Sequence, residues 1–239
     1  MKLIKKILNL IKIKIIKKLY LTKKIDKKKK FTLIYKTNYW SDNDSVSGSG
    51  SGKKNTENII KELSQIIKTY NIKKIFDAPC GDFNWMKKVM NKNKHIEYIG
   101  ADIVDELIIN LNKNNNEKNL KFYVSDITKD KFPSSDLFIC RDCFIHFSNE
   151  DIIKTLRNFI ISDIKYILVT DSNVENNFKN YDIQTGEYRK IDLKKKPFCL
   201  PKNDLYNFND TINLKTNINE NKMTLWSKSQ IKELYYDSK

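Results

Sequence analysis

Four short runs in this 239-residue chain set acids or a histidine directly after an apolar stretch. The first is Asp77-Ala78-Pro79-Cys80-Gly81-Asp82-Phe83-Asn84-Trp85. Gly81 lets the backbone come close to a ligand, and the helix that follows offers its N–H groups. Asp77 repels phosphate and suits a cation. No Gly-Lys-Ser/Thr follows, so this is no Walker loop, and it lacks the GxGxxG of dinucleotide binders. The second is Ala101-Asp102, an acid able to accept both hydroxyl hydrogen bonds of a ribose. The third is Ser125-Asp126-Ile127, an acid able to meet an adenine amino group. The fourth is Cys140-Arg141-Asp142-Cys143-Phe144-Ile145-His146-Phe147, which holds one of the two histidines and one of the three arginines. His146 and Asp142 are candidates for base or orienter at a reacting centre, and Arg141 for bracing the loop or binding substrate.

These residues gain meaning from the elements that precede them. Apolar runs at 73–78, 96–103, 120–127, 136–143 and 166–171 read as strands. Runs at 83–90, 105–111 and 149–161 read as helices between them. An earlier helix is predicted over 55–70, with Thr56 as N-cap and Ile59, Ile60, Leu63, Ile66, Ile67 and Tyr70 as its apolar face. Five strands alternating with helices predict a doubly wound α/β sheet with parallel strands. Ligands of such sheets sit beyond the carboxyl ends of the strands, where all four runs fall.

The flanks differ in character. Residues 1–30 hold 13 lysines and one acid, Asp26, and carry +12 of the net +16. Ile4, Leu8, Ile11 and Ile15 share a helical stripe, so this segment reads as a basic amphipathic tail able to lie on an anionic membrane surface. Lysines interrupt it too often for a signal peptide. Lysine outnumbers arginine 42 to 3, a skew typical of an AT-rich genome and weak as an argument for nucleic acid. Residues 41–53 form a Gly/Ser loop with Trp40 and Ser51 at its borders; such a loop can close over a charged ligand. Residues 174–221 read as a substrate lid in which Tyr188, Arg189 and Phe198 can meet a sugar ring, followed by a closing strand over 223–227. Packing without ligand contact is the competing reading for this lid and for His146.

Other chemistries are weaker. Cys140-x-x-Cys143 has no second pair for zinc, and Cys80 lacks an activating neighbour. Asp142, Asp171 and Asn173 are hard-oxygen residues suited to magnesium, but their spacing is loose, and no metal is expected. Four cysteines are too few for a disulfide scaffold, so a cytoplasmic location is expected, with peripheral membrane contact through residues 1–30. No apolar run is long enough to span a membrane.

Together the acids resemble the motifs of class I S-adenosylmethionine-dependent methyltransferases. Asp77–Gly81 is similar to their first motif, Asp102 to the ribose-binding acid and Asp126 to the adenine-side acid. Here Ala78-Pro79-Cys80 stands where the commoner first motif has glycines. The string Asp-Ala-Pro-Cys-Gly-Asp-Phe-Asn-Trp-Met resembles a narrower branch seen in bacteria and large DNA viruses, among genes for sugar and cell-surface glycan modification. Trp40, Ser45, Ser47-Gly48 and Gly50-Ser51 resemble that branch's amino-terminal loop. Asn180, Asp182-Ile183, Gly186, Arg189, Pro197-Phe198 and Leu200-Pro201 resemble its late segment. The resemblance implies a Rossmann-like sheet of seven strands ordered 3-2-1-4-5-7-6, in a domain spanning 31–239 behind the tail. It implies S-adenosylmethionine as cofactor, held by Asp77, Ala78, Pro79, Cys80, Gly81, Asp82, Trp85, Asp102, Ile103, Asp126, Ile127 and Arg141. His146, Asp142 and Arg141 would serve methyl transfer to a sugar or glycan hydroxyl, with Trp40, Ser51, Tyr188, Arg189 and Phe198 toward the acceptor. Rival expectations are an RNA methyltransferase gripping through the lysine tail, a non-catalytic membrane-associated module, and a nicotinamide oxidoreductase, which the missing GxGxxG disfavours.

Overall fold

The computed structural model describes residues 26–40, 45–211 and 221–236. Seven strands form one sheet: β1 (Lys74–Asp77), β2 (Glu97–Asp102), β3 (Leu120–Val124), β4 (Leu137–Cys140), β5 (Tyr166–Ser172), β6 (Tyr206–Asn209) and β7 (Asn221–Ser227). Their order is β3-β2-β1-β4-β5-β7-β6, as the resemblance implies. β1 through β5 pair in parallel, and β7 runs antiparallel to both neighbours. The order reverses at β1, so the crevice beyond β1 and β4 is the natural ligand position.

Among the described residues six helices accompany the sheet: α1 (Lys27–Thr37), α2 (Glu57–Thr69), α3 (Met86–Lys92), α4 (Asp105–Asn114), α5 (Asn149–Ile161) and α6 (Lys228–Tyr236). One face of the sheet buries the isoleucine stripe of α2 with Val89 of α3 and Leu107 of α4. The other buries Ile152, Leu156 and Phe159 of α5, Ile231 of α6, and Phe132. At about 1.5–3 kcal/mol for each fully buried large apolar side chain, these two layers fix where the strand ends lie.

Several expected elements are shorter than their apolar runs. The helix expected over 83–90 starts at Met86, because Gly81 and Phe83 both adopt left-handed backbone, at φ +53° and +59°. The strand expected over 136–143 stops at Cys140, since Asp142 also has positive φ and Phe144–His146 forms a 3-10 turn. Thr56 occupies the N-cap of α2, but its hydroxyl donates to Gly52 O instead of capping. The boundary expected at residue 30 falls inside α1, which Asp26 caps by accepting from Lys28 N. The expected lid over 174–221 contains β6, and its residues 176–203 lie against the α5 face through Ile191, Leu193, Phe198 and Leu200. Residues 1–25, with the amphipathic stripe, lie outside the described residues, as do 41–44 of the Gly/Ser loop and 212–220 of the lid.

Candidate active site

A cavity of about 1040 Å³, including its mouth to solvent, opens beyond the carboxyl ends of the parallel strands. Asp77, Asp102 and Asp126 all line it. Asp77 ends β1 and is 2% exposed. The Tyr98 hydroxyl donates to its Oδ2 at 2.7 Å. Burial pushes the Asp77 pKa up to about 7, against the Tyr98 bond and the Arg141 charge. Asp102 ends β2; Gly81 N donates to its Oδ2 at 3.3 Å and Val104 N to its Oδ1 at 3.1 Å. Burial raises its pKa to about 6 in spite of these bonds. Asp126 follows β3. Burial works against its ionisation, but two bonds from Thr128 and the nearby Lys27 hold its pKa below the usual carboxylate range.

Backbone geometry sets these acids close to a covering loop. A Cβ on Gly81 would collide with Ser47 Oγ. Ser45 Oγ donates to Asp82 Oδ2 at 2.7 Å, and Asp82 N donates to Ser47 Oγ at 3.0 Å. Asp82, expected at the cofactor, therefore latches the loop and does not line the cavity. Ala78, Pro79, Cys80, Gly81, Trp85, Ile103 and Ile127 do line it. So do Trp40 and Ser51.

Arg141 and Asp142 stand at the end of β4. Arg141 lies over the Trp85 ring, its Cζ 5.5 Å from the centroid. It donates to Gly50 O at 2.8 Å and makes a two-pronged pair with Asp210. Asp142 Oδ2 is 3.3 Å from Arg141 Nη1, and Asp142 N donates to Thr170 Oγ1. A Cβ on Gly50 would stand 2.6 Å from Asp142 Oδ2, so a larger residue there must displace the Asp142 carboxylate.

His146 reaches the same cavity. Its Nδ1 lies 2.8 Å from Glu187 O. A carbonyl only accepts, so in the neutral ring Nδ1 carries the proton and Nε2 holds the lone pair. Burial lowers the His146 pKa below 6.5, while the Glu187 bond and the Asp142 charge raise it in part. Trp40 stacks on the imidazole at 5.1 Å, and Tyr188 lies 5.8 Å away.

Two expected substrate contacts are placed elsewhere. Arg189 is buried; it donates to Phe147 O at 2.9 Å and to Tyr181 O. With Gly186 N donating to His146 O, it ties the late segment to the His146 turn. Phe198 is 3% exposed and packs with Leu193 and Leu200 in the core. Aromatic and guanidinium chemistry read from the sequence fits such packing as well as it fits a sugar. The magnesium candidates have separate partners. Asp171 accepts from Leu193 N inside β5, Asn173 donates to Asn209, and Asp142 pairs with Arg141. Among the described residues no three His, Cys, Asp or Glu side chains are grouped as metal ligands.

The sequence reading missed α1. Lys27, Phe31 and Tyr35 line the cavity, and Lys27 Nζ bonds Thr128 Oγ1 at 2.6 Å and Asp151 Oδ1 at 3.0 Å. Phe31, Ile34 and Tyr35 at i, i+3, i+4 after a capping Asp26 were a usable signal. Asp210 was missed as well.

No protein-family model matches the chain, and no curated protein does. Solved structures do. Human N-acetylserotonin methyltransferase in complex with S-adenosylmethionine aligns at TM-score 0.51 and 15% identity, over 70% of this chain and 51% of that one. The methyltransferase domain of bacterial CtHen1-C aligns at TM-score 0.54 and 14% identity, over 71% and 96%. An O-methyltransferase, so described provisionally, from Nostoc punctiforme aligns at TM-score 0.51 and 12% identity, over 71% and 56%. The chain thus spans about half the length of the human and Nostoc structures. What is common at these identities is the path of the backbone, and the chain has the Rossmann-like fold of the class I methyltransferases.

Proposed function

We propose that this chain is an S-adenosylmethionine-dependent methyltransferase acting on a hydroxyl of a sugar or glycan. The observation that carries this reading is the convergence of Asp77, Asp102 and Asp126 on one cavity. Ionised carboxylates only accept hydrogen bonds, and Ala101, Ile103 and Ile127 supply apolar walls between them. The two cations at the wall, Lys27 and Arg141, are already paired with carboxylates. Such a lining fits a nucleoside bearing hydroxyl and amino donors and a positive charge, and it fits a pyrophosphate poorly. Asp102 would take the ribose hydroxyls, Asp126 the adenine amino group, and Asp77 the cationic end. The human structural neighbour is solved with this ligand.

S-adenosylmethionine, when bound, supplies an electrophilic methyl on a sulfonium whose charge disappears on transfer. The remaining work falls to the chain. It must align an acceptor oxygen and take its proton. His146 Nε2 is the base that would receive that proton; Glu187 O fixes the tautomer, and Asp142 favours the imidazolium formed. Trp40 and Tyr188 beside His146 offer aromatic faces to a sugar ring. The resemblance of the Asp77–Met86 string to a branch found among glycan-modification genes supports the same acceptor.

Thermal shift with S-adenosylhomocysteine and with NAD tests the cofactor. Stabilisation by the first alone is expected; stabilisation by NAD alone would replace this reading with an oxidoreductase. Transfer of labelled methyl to a panel of sugars and sugar nucleotides tests the acceptor, and transfer to RNA alone would overturn it.

A further inference from the structure

We propose that Asp210 is a positioning residue of this site: by neutralising Arg141 at the cavity wall, it keeps the site selective for a cationic ligand over its neutral counterpart. The proposal rests on the methyltransferase reading above. Arg141 is a poor neighbour for a sulfonium. Its side chain is 4% exposed, so water screens it little. It shares the cavity with Asp77 and exerts its charge there, since it draws the Asp77 carboxyl toward ionisation. Unbalanced, that guanidinium would repel any cation that Asp77 attracts.

Asp210 removes the imbalance. Its Oδ1 accepts from Arg141 Nε at 3.0 Å, and its Oδ2 lies 2.9 Å from Nη2. This is the planar fork-to-carboxylate arrangement that lysine cannot make. Asp210 is itself 2% exposed, directly follows β6, and donates nothing to the cavity lining. Arg141 also holds Gly50 O at 2.8 Å, so the same pair anchors the covering loop. Asp142 alone, at 3.3 Å from Nη1 and partly exposed, is the weaker counter-ion.

S-adenosylmethionine and S-adenosylhomocysteine differ at the sulfur by one methyl and one charge, which turns the idea into a ratio. Isothermal titration of the full chain with each ligand gives that ratio. Asp210→Asn keeps the shape and an acceptor for Arg141 but deletes the charge. It should weaken S-adenosylmethionine about tenfold more than S-adenosylhomocysteine, the scale of a poorly screened charge several ångströms away. Asp210→Glu keeps the charge and disturbs packing, and should leave the ratio near the wild-type value. The double variant Arg141→Gln, Asp210→Asn removes the buried ion pair whole and leaves only the partly exposed Asp142 without its partner, so it stays measurable even if the single variant does not fold; it should restore the ratio. Equal loss of both ligands in Asp210→Asn, or a double variant whose ratio stays shifted, would overturn the assignment and leave the methyltransferase reading standing. Failure of the wild-type chain to bind either ligand would overturn that reading and this assignment with it.

Discussion

Asp77, proposed to meet the cationic end of the cofactor, is held at a cost to the fold that carries it. Its carboxyl titrates near 7 in the folded chain against 3.8 ordinarily, with burial as the main cause. Between those two values the folded chain holds a proton that the unfolded chain has released. Stability therefore falls as pH rises through this window, and the full cost stands above about 7. Asp77→Asn should raise the apo protein's stability at pH 8 by a few kcal/mol, retain the Tyr98 contact, and lose S-adenosylmethionine binding. Urea denaturation at pH 8 and pH 4 checks it: the gain should vanish at pH 4. Asp102 contributes differently, because its two backbone bonds fix it as an acceptor. Asp102→Ala should weaken S-adenosylhomocysteine by about 1–3 kcal/mol, the scale of a lost charge-assisted bond; unchanged affinity by calorimetry would remove Asp102 from the site. At this scale the meeting of Asp77, Asp102 and Asp126 at one cavity was legible, because acids that end successive parallel strands face the same edge of the sheet. For Arg189 and Phe198 the sequence left packing and ligand contact both open, since their side-chain types fit both roles. Asp210 was hidden because its partner lies 69 residues away, and nothing local marks one acid in an Asn-rich stretch.

Elements rather than single side chains close the cavity. The segment from Ser45 to Ser51 lies across the first-motif turn through Asp82, and across the end of β4 through Arg141. Its glycines are where other backbone or side chains come closest. Gly50→Ala would force a methyl to within 2.6 Å of Asp142 Oδ2. The loop or Asp142 must then move, so methyl transfer should fall at least tenfold while the thermal midpoint changes by only a few degrees, since the sheet is untouched. A variant with wild-type turnover would show that the loop does not set the reacting geometry. Gly81→Ala acts on the fold itself. Left-handed backbone costs a non-glycine residue about 1–2 kcal/mol, and the collision with Ser47 adds to it. β1 to β5, β7 and α2 were legible from apolar periodicity, whereas β6 lay hidden in the Asn-rich stretch read as a lid. The exact starts of α3 and the β4 turn were not, because positive φ at Phe83 and Asp142 is imposed by tertiary contacts and leaves no mark in composition. α1 was obscured by its own lysines: the run Lys27–Lys30 looks like tail, yet Lys27 and Lys28 are paired with Asp126, Asp151 and Asp105.

On the scale of the whole molecule, charge is divided as the fold is. Most of the +16 belongs to residues 1–30, and part of that charge is used within the domain. Lys27 and Lys28 spend their charge on carboxylates of the domain, and Lys30 Nζ donates to Thr185 O. Residues 1–25 carry nine further lysines and no acid, interleaved with isoleucine and leucine. No helix of the described residues is long and apolar enough to cross a membrane. Basic residues near an anionic bilayer contribute about 1 kcal/mol each, and salt screens them over a Debye length. A chain of this design should sediment with vesicles containing phosphatidylserine, less so as salt rises, and hardly at all with neutral vesicles. Deletion of residues 1–25 should abolish sedimentation and leave S-adenosylhomocysteine affinity unchanged, because Lys27, Phe31 and Tyr35 of α1, which line the cavity, are retained. Deletion through residue 37 should also lower that affinity, since Phe31 and Tyr35 would leave the cavity wall. Equal vesicle binding by the full chain and the 1–25 deletion would assign the basic segment no membrane role. Loss of ligand binding on removing 1–25 alone would mean that the tail belongs to the site.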